Sequence, residues 1–145
     1  MERTQNEAPA QERCLLVQAG DQVCALPLGR VRRVIRALTV NPLPGAAAEL
    51  LGLAEFGGEP LPVLDLALLV GAPAGAAAAL PVTIVVTAGP AGSSELAGLA
   101  ADAALDVAEV PLVAPAGGRR LLVGEVLVAG RPVCVLDLSA LGQSP

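Results

Sequence analysis

The sequence predicts an all-β protein built from two copies of one small β unit. Three observations carry this. About ten short apolar runs are separated by Gly, Pro and Asp turn signals. An ungapped repeat recurs at an offset of 72 residues. The core material is Leu, Val, Ala and Ile, with Phe56 as the single aromatic residue. At 145 residues and 54% hydrophobic content, the chain can fill one compact domain or two very small intertwined ones.

The elements follow in order. Residues 1–13 are polar, contain no apolar run to serve as a signal peptide, and read as a flexible tail; residues 142–145 form a short second tail. Residues 14–19 and 23–28 flank Gly20-Asp21 and read as a hairpin, and 31–36 reads as a third strand. The stretch 39–44 is extended but broken by Pro42 and Pro44, which suits an edge or a connection. Residues 50–56 and 61–65 pair around Gly57-Gly58. Later strands are expected at 82–87, 96–101, 104–110, 121–128 and 132–136. Short helical turns follow the two VLDL segments, at 66–70 and 138–141, with Asp65 and Asp137 as N-caps. The Ala-rich pieces 45–51 and 75–80 could also turn helically. The uncharged stretch 66–94 is long enough to span a bilayer, but Gly71, Pro73, Gly75, Pro81, Gly89, Pro90 and Gly92 punctuate it, so it reads as core plus loop.

The repeat aligns GEPLPVLDL (58–66) with GRPVCVLDL (130–138), Gly52 with Gly124, and Leu69 with Leu141. One further residue of shift aligns Ala25-Leu26 with Gly98-Leu99 and Val34 with Val107. Each half alone is too small to bury a core, so the two units should share apolar surface.

Composition excludes most chemistry. There is no His, and all nine basic residues are Arg, so the usual general base, Ser-His or Cys-His pairs, Schiff-base lysines and phosphate-loop lysines are missing. The three cysteines, Cys14, Cys24 and Cys134, have neither metal-knuckle nor redox-pair spacing and read as reduced core residues of a cytoplasmic protein. No metal, cofactor or catalytic set is expected. A net charge of −5 argues against general nucleic-acid affinity. Asp65 and Asp137 tempt an acid/base reading, but no partner group lies nearby in sequence and capping explains both. The densest charge is Arg30, Arg32, Arg33 and Arg36. It is either a solvated strand face or a site for an acidic partner, with Arg30, Arg32 and Arg36 on one face of the strand.

Four pieces in order, ALPLGRVRRVI (25–35), LLGLAEFGGEPLPVLDL (50–66), GLAADAALDVAEV (98–110) and LVGEVLVAGRPVCVLDLSAL (122–141), resemble the CheW-like family of coupling proteins in bacterial chemosensory arrays. The resemblance covers residues 14–141. It implies two intertwined five-stranded SH3-like barrels, no catalytic activity and no direct membrane insertion. It implies a cytoplasmic adaptor at receptor arrays, joining a methyl-accepting receptor's cytoplasmic tip to the regulatory domain of a CheA-type histidine kinase. Carried over by position, Val31, Val34, Ile35, Leu53, Phe56 and Leu99 would line the receptor groove; Val40, Leu43 and Gly52 would face the kinase.

Three departures accompany the resemblance. Gly57 stands where the family usually has an arginine linked to coupling, and Arg33 stands where it has an acidic residue. The segment between Val110 and Gly124 is shorter than in most members, which suggests a missing strand or loop. The alternatives are a divergent adaptor that binds the receptor but has lost normal kinase binding, and a small ligand-binding regulatory β domain.

Overall fold

The computed structural model describes residues 10–71, 81–90, 92–112 and 121–141. The tail residues 1–9 and 142–145 and the Ala-rich piece 75–80 lie outside these. Ten strands are described: β1 (Gln11–Ala19), β2 (Gln22–Pro27), β3 (Val31–Arg36), β4 (Leu50–Phe56), β5 (Glu59–Asp65), β6 (Val82–Thr87), β7 (Leu96–Ala101), β8 (Ala103–Pro111), β9 (Leu122–Val128) and β10 (Arg131–Leu136). One helical turn, α1 (Leu66–Leu69), and two 3-10 turns, Leu28–Arg30 and Leu138–Ala140, are also found among the described residues. Among the described residues no helix is long and apolar enough to cross a membrane.

The strands form two five-stranded sheets, ordered β8-β1-β2-β10-β9 and β3-β6-β7-β5-β4. Each half of the chain gives a two-stranded hairpin to one sheet and its next three strands to the other, so the halves are exchanged. The parallel joins make the duplication plain. Val63 on β5 faces Gly98 on β7, and their repeat equivalents Val135 and Ala25 face each other on β10 and β2. The irregularities are duplicated too. β3 slips by one residue between Val31 and Arg33, and β8 slips at the equivalent place, between Ala104 and Val107. A matching slip falls before Gly52 on β4 and before Gly124 on β9. Bulges add local twist, and these four bend the outer strands of both sheets alike. Each sheet has five described strands, and residues 113–120 of the segment between Val110 and Gly124 lie outside the described residues.

Apolar alternation separates three cores. Ala54, Leu61, Val63, Val85 and Ala100 fill the first barrel. Cys14, Leu16, Val23, Ala25, Val110 and Val133 fill the second. Between them a larger seam joins both hairpins, including Val17, Leu26, Ile84, Leu99 and Leu138, all essentially inaccessible to solvent. With little aromatic area available, this seam is where most apolar surface is removed from water.

The two crossovers are tied to the opposite half. The Arg30 guanidinium donates to the carbonyls of Thr87 (3.2 Å) and Gly89 (2.7 Å). The Asp102 carboxylate accepts from the Gly20 amide at 2.7 Å, while its own amide donates to Gln18.

Turn chemistry fixes the registers. Gly57 and Gly58 have φ of +61° and +82°, the all-positive pattern of a type I′ hairpin. The repeated hairpin uses Ala129 and Gly130 at +52° and +79°. A Cβ in the left-handed region is unfavourable, so Ala129→Gly is expected to stabilise the chain by about 0.5–1 kcal/mol. A thermal melt would show this as a higher midpoint.

Candidate functional surface

The aspartates are structural. The Asp65 carboxylate accepts from the amides of Ala67 (3.1 Å) and Leu68 (3.4 Å), capping α1. Asp137 accepts from the Ser139 amide at 3.0 Å and from the Ser139 hydroxyl. Each is committed to its own turn, as a cap requires. No group of three or more His, Cys, Asp or Glu among the described residues could hold a metal.

The cysteines are buried and reduced. Burial, with Glu12 and Glu109 nearby, pushes the Cys14 thiol up to about 11. Burial and the adjacent Cys134 push Cys24 up to about 12. Burial also raises Cys134, whose thiol donates to the Gln22 side-chain oxygen at 2.7 Å. Protonated thiols in apolar surroundings are poor nucleophiles.

The six residues proposed for a receptor groove separate into three environments. Val34 is 44% exposed on β3, and Leu53 is half-buried on β4. Ile35 and Phe56 are half-buried and pack on the first barrel's core, although β3 and β4 are opposite edges of that sheet. Phe56 also lines an open depression of about 510 Å³ with Gly57, Pro60 and Leu96. Val31 packs on the shared seam. Leu99 is wholly buried there, between Ile84 and Leu64, and presents no surface to a partner. The sequence marks Leu99 as apolar, but its place on the middle strand of a covered sheet is set by the exchange of halves.

The three kinase-side residues come together. The Asn41 amide donates to the Leu53 carbonyl at 2.8 Å, and the Leu53 amide donates back to Asn41 at 2.9 Å, so the segment 39–44 is strapped across β4 at Gly52. Val40 then packs on the first barrel's core and Leu43 is exposed. Gly52 itself is buried, and a Cβ there would lie 2.1 Å from the Asn41 carbonyl oxygen.

The arginine cluster is only partly a strand face. Arg30 lies in the 3-10 turn and is occupied by the two carbonyls of the β6 end, so it is a structural tie rather than an acidic-partner contact. The slip between Val31 and Arg33 also breaks the expected alternation. Arg32, Arg33 and Arg36 remain exposed around Val34, and none has an ion-pair partner among the described residues.

The strand expected at 104–110 is present as β8, but its exposed apolar face escaped the sequence reading. β8 presents Leu105 and Val107, 41% and 48% exposed, beside Asp106 and Glu109. The alignment of Val34 with Val107 was the signal that could have found it.

Comparison with known proteins gives a consistent picture. No curated protein sequence matches. The fold is similar to the crystal structure of the scaffolding protein TtCheW from Thermoanaerobacter tengcongensis, with a TM-score of 0.73, 17% identity, and coverage of 89% of this chain and 90% of that one. The model of the CheW-like domain matches residues 13–145. With nearly the whole chain matched, and with both carboxylates that could have done chemistry spent on caps, the protein belongs to the CheW-like family of non-catalytic chemotaxis scaffolds.

Proposed function

We propose that the chain couples the cytoplasmic tip of a methyl-accepting receptor to the regulatory domain of a CheA-type histidine kinase, working in the cytoplasm at receptor arrays. The observation that carries this reading is the exposed Val34, flanked along β3 by the half-buried Val31 and Ile35. A helical hairpin docking there would bury apolar area around one central side chain, the usual pattern of an interaction hot spot. The strap carrying Val40 and Leu43 over Gly52 is a second, separate surface suited to the kinase.

Two departures favour a second reading, an adaptor that binds the receptor with weakened kinase contact. Gly57 leaves the β4–β5 turn without a side chain, and Arg33 places a positive charge where the family resemblance implies a negative one. Titrating the purified chain against a CheA-type regulatory domain separates them. Binding in the micromolar range supports the coupler. Absence of binding, with receptor binding retained, supports the second reading.

A further inference from the structure

The second barrel carries a pair of side chains that its repeat counterpart lacks. Cys24 on β2 and Cys134 on β10 are direct partners in the parallel join between the two halves. The equivalent positions of the first barrel hold Ala97 and Pro62, so one of the two joins has thiols and the other has none. Directly paired residues share a face of the sheet, and both cysteines pack in the shared seam. Neighbouring strands lie about 4.8 Å apart, inside the range of about 4.4–6.8 Å that a disulfide spans between Cα atoms. The Cys24 thiol donates to the Cys134 sulfur, and the Cys134 thiol donates to Gln22 Oε1 at 2.7 Å. Cys134 also lines an open depression of about 360 Å³, whose polar wall includes Gln18, Gln22, Glu125 and Arg131. It keeps 4% of its surface exposed, while Cys24 behind it is wholly buried. Cys14 packs elsewhere, in the core of the second barrel.

We infer that Cys24 and Cys134 are a redox pair, which a small hydroperoxide converts to a disulfide clasping β2 to β10. The oxidant enters by the depression and meets Cys134 first. The Cys134 sulfur attacks one peroxide oxygen, the O–O bond breaks, and water or the matching alcohol leaves. Cys134 is then a sulfenic acid. The Cys24 sulfur displaces its hydroxyl group, which departs as water with the Cys24 proton, and the S–S bond forms. Two electrons and two protons pass in all from the thiol pair to the peroxide. A thiol reductant reverses the bond by exchange. Burial keeps both thiols protonated, so the pair reacts slowly and answers sustained oxidant rather than a brief pulse. The β2–β10 ladder is only two residue pairs long, and the bond would close the loop from Cys24 to Cys134 across both halves. A cross-link over so long a loop restrains the unfolded chain strongly. The pair lies on neither β3 nor the strap, so the inference is independent of the receptor and kinase readings.

The test treats the reduced, native wild-type chain with excess hydrogen peroxide, then denatures it, alkylates the remaining thiols and maps the peptides by mass spectrometry. Of the three cysteines, Cys14 alone is expected to take up the alkylating reagent. The peptides holding Cys24 and Cys134 should be joined with the loss of two hydrogens, and dithiothreitol should restore all three thiols. The clasped chain should unfold at a higher urea midpoint than the same chain after reduction. In Cys24→Ala the reaction should stop at the Cys134 sulfenic acid, which dimedone traps. The wild-type map stands without this variant, should the variant fail to fold. Cys24 and Cys134 still open to alkylation, oxidation of either without a cross-link, a bridge to Cys14 or between chains, or an unchanged urea midpoint would overturn the inference.

Discussion

Gly52→Ala is expected to destabilise the chain by about 3 kcal/mol or more, at the upper end of what overpacking costs. The added Cβ would sit 2.1 Å from the Asn41 carbonyl oxygen and 2.9 Å from the Pro42 Cα. Both are backbone atoms and cannot rotate away. They are also held in place, because Asn41 and Leu53 exchange two hydrogen bonds across the same point. The chain must either break that bridge, releasing the strap that carries Val40 and Leu43, or distort the bulge that sets the β4–β5 register. Chemical denaturation measures the loss. Gly57→Ala is the matched control: its Cβ direction is open and φ is +61°, so only the left-handed penalty of about 1–2 kcal/mol applies. Equal effects at the two positions would contradict the strap.

Val34→Glu is expected to leave stability within about 0.5 kcal/mol of wild type, as for other exposed positions, and to remove receptor-fragment binding. Loss of a central apolar anchor typically costs 2 kcal/mol or more, roughly thirtyfold in affinity, and the buried carboxylate adds to it. Leu99→Ala should behave in the opposite way. Leu99 is fully buried in the seam, so its truncation should cost about 2–5 kcal/mol of folding stability. Unchanged capture of a receptor cytoplasmic fragment by folded Val34→Glu would remove β3 from the docking surface.

Much of this architecture is legible from residues. The VLDL repeat and the turn signals locate every described strand to within a few residues, and the two aspartate caps follow from an Asp preceding a short leucine run. Other features are not legible because they arise from pairing. β1 begins at Gln11 rather than residue 14, since its polar start continues the ladder out to Pro111 on β8. Arg30 looks like its neighbours in sequence, but the crossover places it against the carbonyls closing β6. The slips in β3 and β8 cannot be seen in an alternation pattern, because a bulge changes the face without changing composition. Residues 45–51, read as a possible helical turn, form turns and the entry to β4 instead, with Gly45 at φ +80°. The separation of the groove candidates into core and surface depends on the seam, which exists only once the halves are exchanged.

Backbone hydrogen exchange, measured with and without a receptor cytoplasmic fragment, tests the receptor-docking reading most directly. The expected result is slowed exchange concentrated in Val31–Arg36 and around Leu53 and Phe56, with β10 unchanged. Binding with protection confined to β9 and β10, or binding with no change along β3, would contradict it.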